Sequence, residues 1–227
     1  MGVQTYPSYP GADKHDLAPL FNVDRARGDD PFPFEAPDQG FDLALVKSHG
    51  FSFGPVLNFE NSRKPDDVGA AVPKVKLSIE PGVFASVQLT DSFRLRGDVR
   101  KGVTGHKGWI GDVGADYVVR NGDNWLFSIG PRVSWSSNRY QDAYFGVSPE
   151  ASLTSGLPTY NPGSGIMSYG ATSSFLTQLS RDWGIMAYAK YDRLVGDAAD
   201  SPLVQVYGSR NQLSGGLALS YTFGGGR

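Results

Sequence analysis

The stretch Asn124–Ser136, NWLFSIGPRVSWS, alternates throughout but for Leu126 and decides the fold. Trp125, Phe127, Ile129, Pro131, Val133 and Trp135 fall on one face of an extended chain, and Asn124, Leu126, Ser128, Gly130, Arg132, Ser134 and Ser136 on the other. A period of two marks a strand with one apolar and one polar face. The pattern recurs near the end of the chain. There Leu213, Gly215, Leu217, Leu219, Tyr221 and Phe223 alternate with Gln212, Ser214, Gly216, Ala218, Ser220 and Thr222. Between Phe93 and Lys101, Phe93, Leu95 and Val99 stand against Arg94, Arg96, Asp98 and Arg100. Further runs cover 3–6, 17–26, 41–46, 51–61, 75–89, 109–119, 168–179 and 183–195, and a helical period persists nowhere.

The links alternate in length. Those at 47–50, 90–92, 121–124 and 180–182 are tight and turn-rich, whereas 62–73, 102–108, 138–166 and 196–209 are long. Short turns at one end and long loops at the other describe an up-and-down meander, with turns periplasmic and loops extracellular in an outer-membrane barrel. If the last strand ends on the turn side, parity requires a rising strand ahead of 41–46. Phe32–Ala36 is the candidate, although Pro33 suits a strand poorly. The expectation is an all-β, transmembrane antiparallel barrel of 10–12 strands. It is expected to form a single domain over 1–227, with the first strand cut short and no signal peptide within the chain.

Composition agrees. Among 227 residues there are 29 Gly and 15 Pro, which suit many strands and turns, and no Cys, which rules out disulfides and thiolate metal sites. A net charge of −2 offers no electrostatic footprint for nucleic acid.

Alternation alone does not say which face is outside. A soluble lipocalin-type barrel would turn the apolar row inward. The polar rows, however, carry Asp42, Glu60, Lys76, Glu80, Arg94, Arg96, Asp98, Arg100, Asp112, Asp116, Arg132, Lys190 and Asp192, too many charges for a dry core. The apolar rows end on aromatics, Trp125 and Trp135, Trp183 and Tyr191, Tyr221 and Phe223, as a membrane girdle requires. About ten residues at ~3.3 Å rise and ~40° tilt cover the ~25 Å apolar band. The surroundings are therefore expected to be outer-membrane lipid.

Several motifs together resemble the MipA/OmpV family of outer-membrane proteins: Tyr144-Phe145-Gly146-Val147, Ser155-Gly156-Leu157-Pro158-Thr159-Tyr160, and Arg193-Leu194-Val195-Gly196-Asp197-Ala198-Ala199-Asp200-Ser201-Pro202. Gly54-Pro55-Val56, Gly105-His106-Lys107-Gly108 and Gly208-Ser209-Arg210-Asn211-Gln212 add to it, and the resemblance runs from Tyr9 to Phe223. It implies a non-catalytic envelope protein of a Gram-negative bacterium. The name-giving member is a scaffold joining a membrane-bound murein lytic transglycosylase to a bifunctional murein synthase. Contacts of that kind would use the short periplasmic turns.

Three sets of residues are candidates for function. The inward charges Lys76, Glu80, Arg94, Arg96, Asp98, Arg100, Asp112, Asp116, Arg132, Lys190 and Asp192 form either a bracing ion network or the constriction of a narrow channel for small polar solutes. Six basic against seven acidic inward groups, Asp42 and Glu60 included, give no strong ion selectivity. The aromatics Tyr140, Tyr144, Phe145 and Tyr160 of the 138–166 loop fold over the mouth or meet a partner, an adhesive role included. Enzymatic sites find no support: His106 has only Thr104 as a neighbouring hydroxyl, no G-x-S-x-G occurs, and His106 reads as a solvated loop residue. A zinc site from His15, His106 and Asp13 or Asp16 lacks ligand spacing, and a calcium reading of Asp197, Asp200 and Ser201 lacks the EF-hand pattern. No cofactor is expected.

Overall fold

A computed structural model of the chain describes residues 1–21 and 34–223. In chain order its elements are β1 Gly2–Pro7, β2 His15–Leu20, β3 Phe41–Asp42, β4 Val46–Ser48, β5 Phe51–Glu60, α1 Pro65–Val68, β6 Ser78–Thr90, β7 Phe93–Lys101 and β8 Trp109–Asn121. They continue with β9 Trp125–Ser136, α2 Asn138–Phe145, α3 Pro149–Ser155, β10 Gly165–Gln178, β11 Trp183–Leu194, α4 Gly196–Asp200, α5 Pro202–Tyr207 and β12 Asn211–Tyr221. One antiparallel sheet runs in the order β2-β1-β12-β11-β10-β9-β8-β7-β6-β5-β3, with β4 also on β5. From β5 to β12 neighbours in sequence are thus neighbours in space, and first meets last where β1 lies on β12 in the register Gly2↔Ala218 to Thr5↔Gly215. β3 and β4 are pieces of one pass, joined where Leu43 N–H donates to Pro55 O (3.1 Å) and Leu45 N–H to Phe53 O (3.0 Å).

The alternation seen in the sequence puts apolar side chains outward. Phe53, Val83, Leu95, Val99, Val113, Phe127, Ile129, Phe175, Leu217 and Leu219 are exposed, while Glu80, Arg94, Arg96, Arg100, Asp116, Ser128, Thr172 and Gln212 are buried. An apolar-inside barrel is thereby overturned. The conventional hydrophobic core lies instead at the loop end, where Tyr140, Tyr144, Phe145, Val147, Leu194, Leu203 and Val204 cluster with Val68 and Tyr9.

Local chemistry explains the joints. His49 and Gly50 both take positive φ (47° and 78°), the geometry of a two-residue hairpin turn whose twist matches the strands it joins. Pro131 has no N–H for the ladder, and the pairing of β8 with β9 skips Ala115 and Asp116 opposite it. Arg132 Nη1 donates to the Ala115 carbonyl instead (3.2 Å). Next to it, Gly130 brings the backbones so close that a Cβ would lie 1.7 Å from Ala115 O.

One strand expectation fails. Residues 32 and 33 lie outside the described set, and Phe34–Gly40 form no strand. The rising pass that parity demands is made inside the barrel: Arg94 Nη1 donates to Phe34 O (3.1 Å), and Asp38 meets Arg132 across the lumen. Glu35, Pro37 and Asp38 give this stretch no apolar outward row, and Pro37 lacks a ladder donor. β2 and β3 consequently both descend, and among the described residues they do not pair with each other.

Candidate functional site

The lumen is organised by β7, whose inward row carries three arginines. The register sets Asp98 directly opposite Asp112, a like-charge pairing that would destabilise the sheet on its own. Arg100 resolves it. Its Nη1 pairs with Asp98, its Nη2 with Asp112 (2.6 Å) and its Nε with Glu80 on β6 (3.2 Å). Ser134 also donates to Asp112. Lower down, Arg94 pairs with Asp116 (2.7 Å), and Arg132 takes the other oxygen of the same carboxylate (2.6 Å). Arg96 stacks over Phe84, 4.1 Å from the ring centre, and pairs through Nη1 with Asp42 (2.8 Å).

Asp38 is the hub that the sequence did not reveal. Arg132 grips it with Nε (2.9 Å) and Nη2 (3.2 Å), Thr172 Oγ1 donates to it (2.8 Å), and Lys190 lies 3.6 Å away. Lys190 also pairs with Asp192 (3.2 Å). Lys76 does not belong here. β6 begins only at Ser78, Val75 leaves the wall to bridge with Arg63, and Lys76 is exposed. Without Lys76 and with Asp38, the inward groups change from near balance to five basic against eight acidic.

A packed cap of loops covers the lumen from the loop side. His106 is buried, not solvated as expected. Gly108 N–H donates to its Nδ1 (2.9 Å), so the ring proton sits on Nε2 and is donated to Glu80 (2.9 Å). Asn58 Nδ2 donates to the other Glu80 oxygen (3.0 Å), and the ring meets Tyr140 edge-on at 4.7 Å. Gly102 is required beneath it, since a Cβ there would lie 2.5 Å from the imidazole.

Tyr140, Tyr144 and Phe145 are fully buried in the cap, which withdraws them as a surface for a partner; Tyr160 is half-buried and donates to Asp197 O (2.9 Å). Arg63, missed in the sequence because its loop looked solvated, is buried among them. It donates to Tyr144 O (2.6 Å) and Pro73 O (2.9 Å), capturing carbonyls that the cap leaves without a ladder. Burial pushes the Tyr9 phenol up to about 12, against the pull of Arg63. Burial likewise raises Tyr140 and Tyr144, and the Glu60 charge adds to both.

The other residues singled out have structural places. Asp197 accepts from Gly163 N–H (2.6 Å), Asp200 pairs with Arg210 (3.2 Å), and Ser201 accepts from Leu203 N–H (3.2 Å). His15 is exposed, with Nε2 3.0 Å from Leu213 O, and among the described residues no group of His, Cys, Asp and Glu is placed to hold a metal. Trp109 and Trp135 stand near the loop-side rim; Trp125, Trp183 and Tyr221 stand at the turn side. Trp183 and Tyr221 stack edge-on at 4.9 Å, Tyr221 meets Phe223 at 4.6 Å, and Tyr191 donates to Asn211 (2.7 Å).

The family model described as MltA-interacting protein MipA matches residues 1–223. This chain belongs to the MipA family. Two curated relatives are the MltA-interacting proteins of Escherichia coli (strain K12) and Shigella flexneri. Each is 38% identical over 72 residues, which is 32% of this chain and 29% of the relative. The match thus spans under a third of the length of those MipA proteins.

Proposed function

We propose that this member of the family is a non-enzymatic β-barrel of the Gram-negative outer membrane that serves as an envelope scaffold, engaging a murein lytic transglycosylase and a bifunctional murein synthase. Family membership carries the reading, because the relatives are named for interaction with MltA. The exposed apolar belt supports residence in lipid, since a β-sheet can lie in hydrocarbon when its polar groups face inward. A lumen crossed by Phe34–Gly40 and covered by a packed cap favours work at a surface over free passage of solutes. The buried cap aromatics likewise disfavour adhesion through them.

The contacts are assigned to the turn side, where Lys47, His49, Asp91 and Arg181 are exposed. A stable interface needs ~1,200 Å² or more, so several turns must act together. The test is co-sedimentation of a purified membrane-bound murein lytic transglycosylase with the protein in lipid vesicles. Wild type should retain the enzyme, a Lys47→Glu, Arg181→Glu variant should weaken binding by about tenfold, and Leu153→Asp on the opposite side should not. Failure of wild type to retain the enzyme, or equal losses in both variants, would refute the assignment.

A further inference from the structure

The segment Phe34–Gly40 is held in the lumen almost entirely by side chains of the wall. Among the described residues its one backbone–backbone bond is internal, from Gln39 N–H to Ala36 O (3.1 Å), and it takes part in no ladder. It can therefore leave without breaking a strand pairing. Its anchors also keep partners when it goes: Arg94 and Arg132 retain Asp116, and Lys190 retains Asp192. A latch whose partners are satisfied in both states suits reversible release, because no buried charge is stranded.

The place it would vacate is built for a carboxylate. Arg132 presents a guanidinium fork, Thr172 a buried hydroxyl and Lys190 an ammonium, and all three now serve Asp38. Above them lies a cavity of about 490 Å³, with Pro37, Asp38 and Gln39 in its wall. Arg96 borders the same cavity with its side chain more than nine-tenths buried. Among the described residues its Nε and Nη2 have no hydrogen-bond partner. That edge of a guanidinium takes acceptor oxygens.

We propose that Phe34–Gly40 is a displaceable plug latched by Asp38, and that the Arg132–Lys190–Thr172 cradle takes a ligand carboxylate in its place. The acidic excess of the lumen admits one carboxylate, as Asp38 now supplies, and rejects a polyanion. The spare Arg96 donors favour further neutral acceptors, hydroxyl or amide oxygens. The ligand class is thus a monocarboxylate rich in neutral oxygens, either a free sugar acid or an acidic residue in an extended peptide. This inference is independent of the scaffold role.

The chain has no cysteine, so a thiol introduced at Ser214, a cavity-lining position, reports access to the lumen. Its labelling by a charged, membrane-impermeant methanethiosulfonate should be slow in otherwise wild-type protein and faster by about tenfold or more with Asp38→Asn, where the ion pairs are lost. Thr172→Val, which removes one hydrogen bond and no charge, should give an intermediate rate and serves if Asp38→Asn does not fold. In the opened variant, gluconate and the N-acetylated, C-amidated peptide Phe-Gln-Ala-Pro-Asp-Gln-Gly, whose one carboxylate is the aspartate, are the probes, and protection by one or the other tells free acid from peptide. Adding Arg132→Gln should abolish that protection. Unchanged labelling in folded Asp38→Asn and Thr172→Val protein would overturn the latch. Fast labelling that neither probe slows would overturn the carboxylate site.

Discussion

Replacing Arg100 by alanine is expected to destabilise the barrel by about 3–5 kcal/mol, the range for breaking a buried ion pair from one side. The single guanidinium serves Glu80, Asp98 and Asp112, and two of those carboxylates face each other across β7 and β8. Without it, mutual repulsion and desolvation act on three acids together. Arg100→Lys should recover only part of the loss, since an ammonium cannot address three directions with a planar fork. Urea unfolding in lipid vesicles, followed by tryptophan fluorescence, measures both. A loss below about 1 kcal/mol, the scale of exposed pairs, would show that the lumen is wet enough to screen these charges.

Phe145→Ala should show a similar magnitude in a different place. Phe145 is fully buried at the centre of the cap cluster, and Ser201 Oγ donates to its carbonyl (2.7 Å), tying α2 to the start of α5. Emptying such a site costs about 3–5 kcal/mol through lost burial and the cavity left behind. The wall strands do not depend on it, so the cap should loosen while the barrel stays folded. Limited proteolysis is expected to cut within 138–166 at least about tenfold faster, with the heat-modifiable gel shift of the barrel unchanged. Simultaneous loss of the gel shift would mean that cap and wall unfold as one unit.

The wall was legible because it asks little of the chain beyond a period of two. β7 spans the residues its alternation marks, and β9 and β12 differ from theirs by one or two at an end. The ion network was legible in part. Alternation named Arg94, Arg96, Arg100, Asp112 and Asp116, but it also swept in Lys76 by carrying the period beyond the first residue of β6. Asp38 was hidden because Pro37-Asp38 reads as an ordinary turn, and only the parity of the meander hinted that something must rise there. His106 and Arg63 were hidden for another reason. Their burial comes from packing of loops distant in sequence, and nothing in the residues beside them encodes it. The helices of the cap are four to eight residues long, too short for a helical period to show.

The central claim is that the apolar face looks into lipid and the charges look inward. Its most direct test uses the four tryptophans, Trp109 and Trp135 near one rim and Trp125 and Trp183 at the other. Reconstituted in vesicles, the protein should show fluorescence quenched by lipids brominated near the headgroup, quenched less by those brominated at the chain ends, and shielded from aqueous iodide. Quenching by iodide with no response to brominated lipid would contradict the claim, because the tryptophan-bearing face would then meet water.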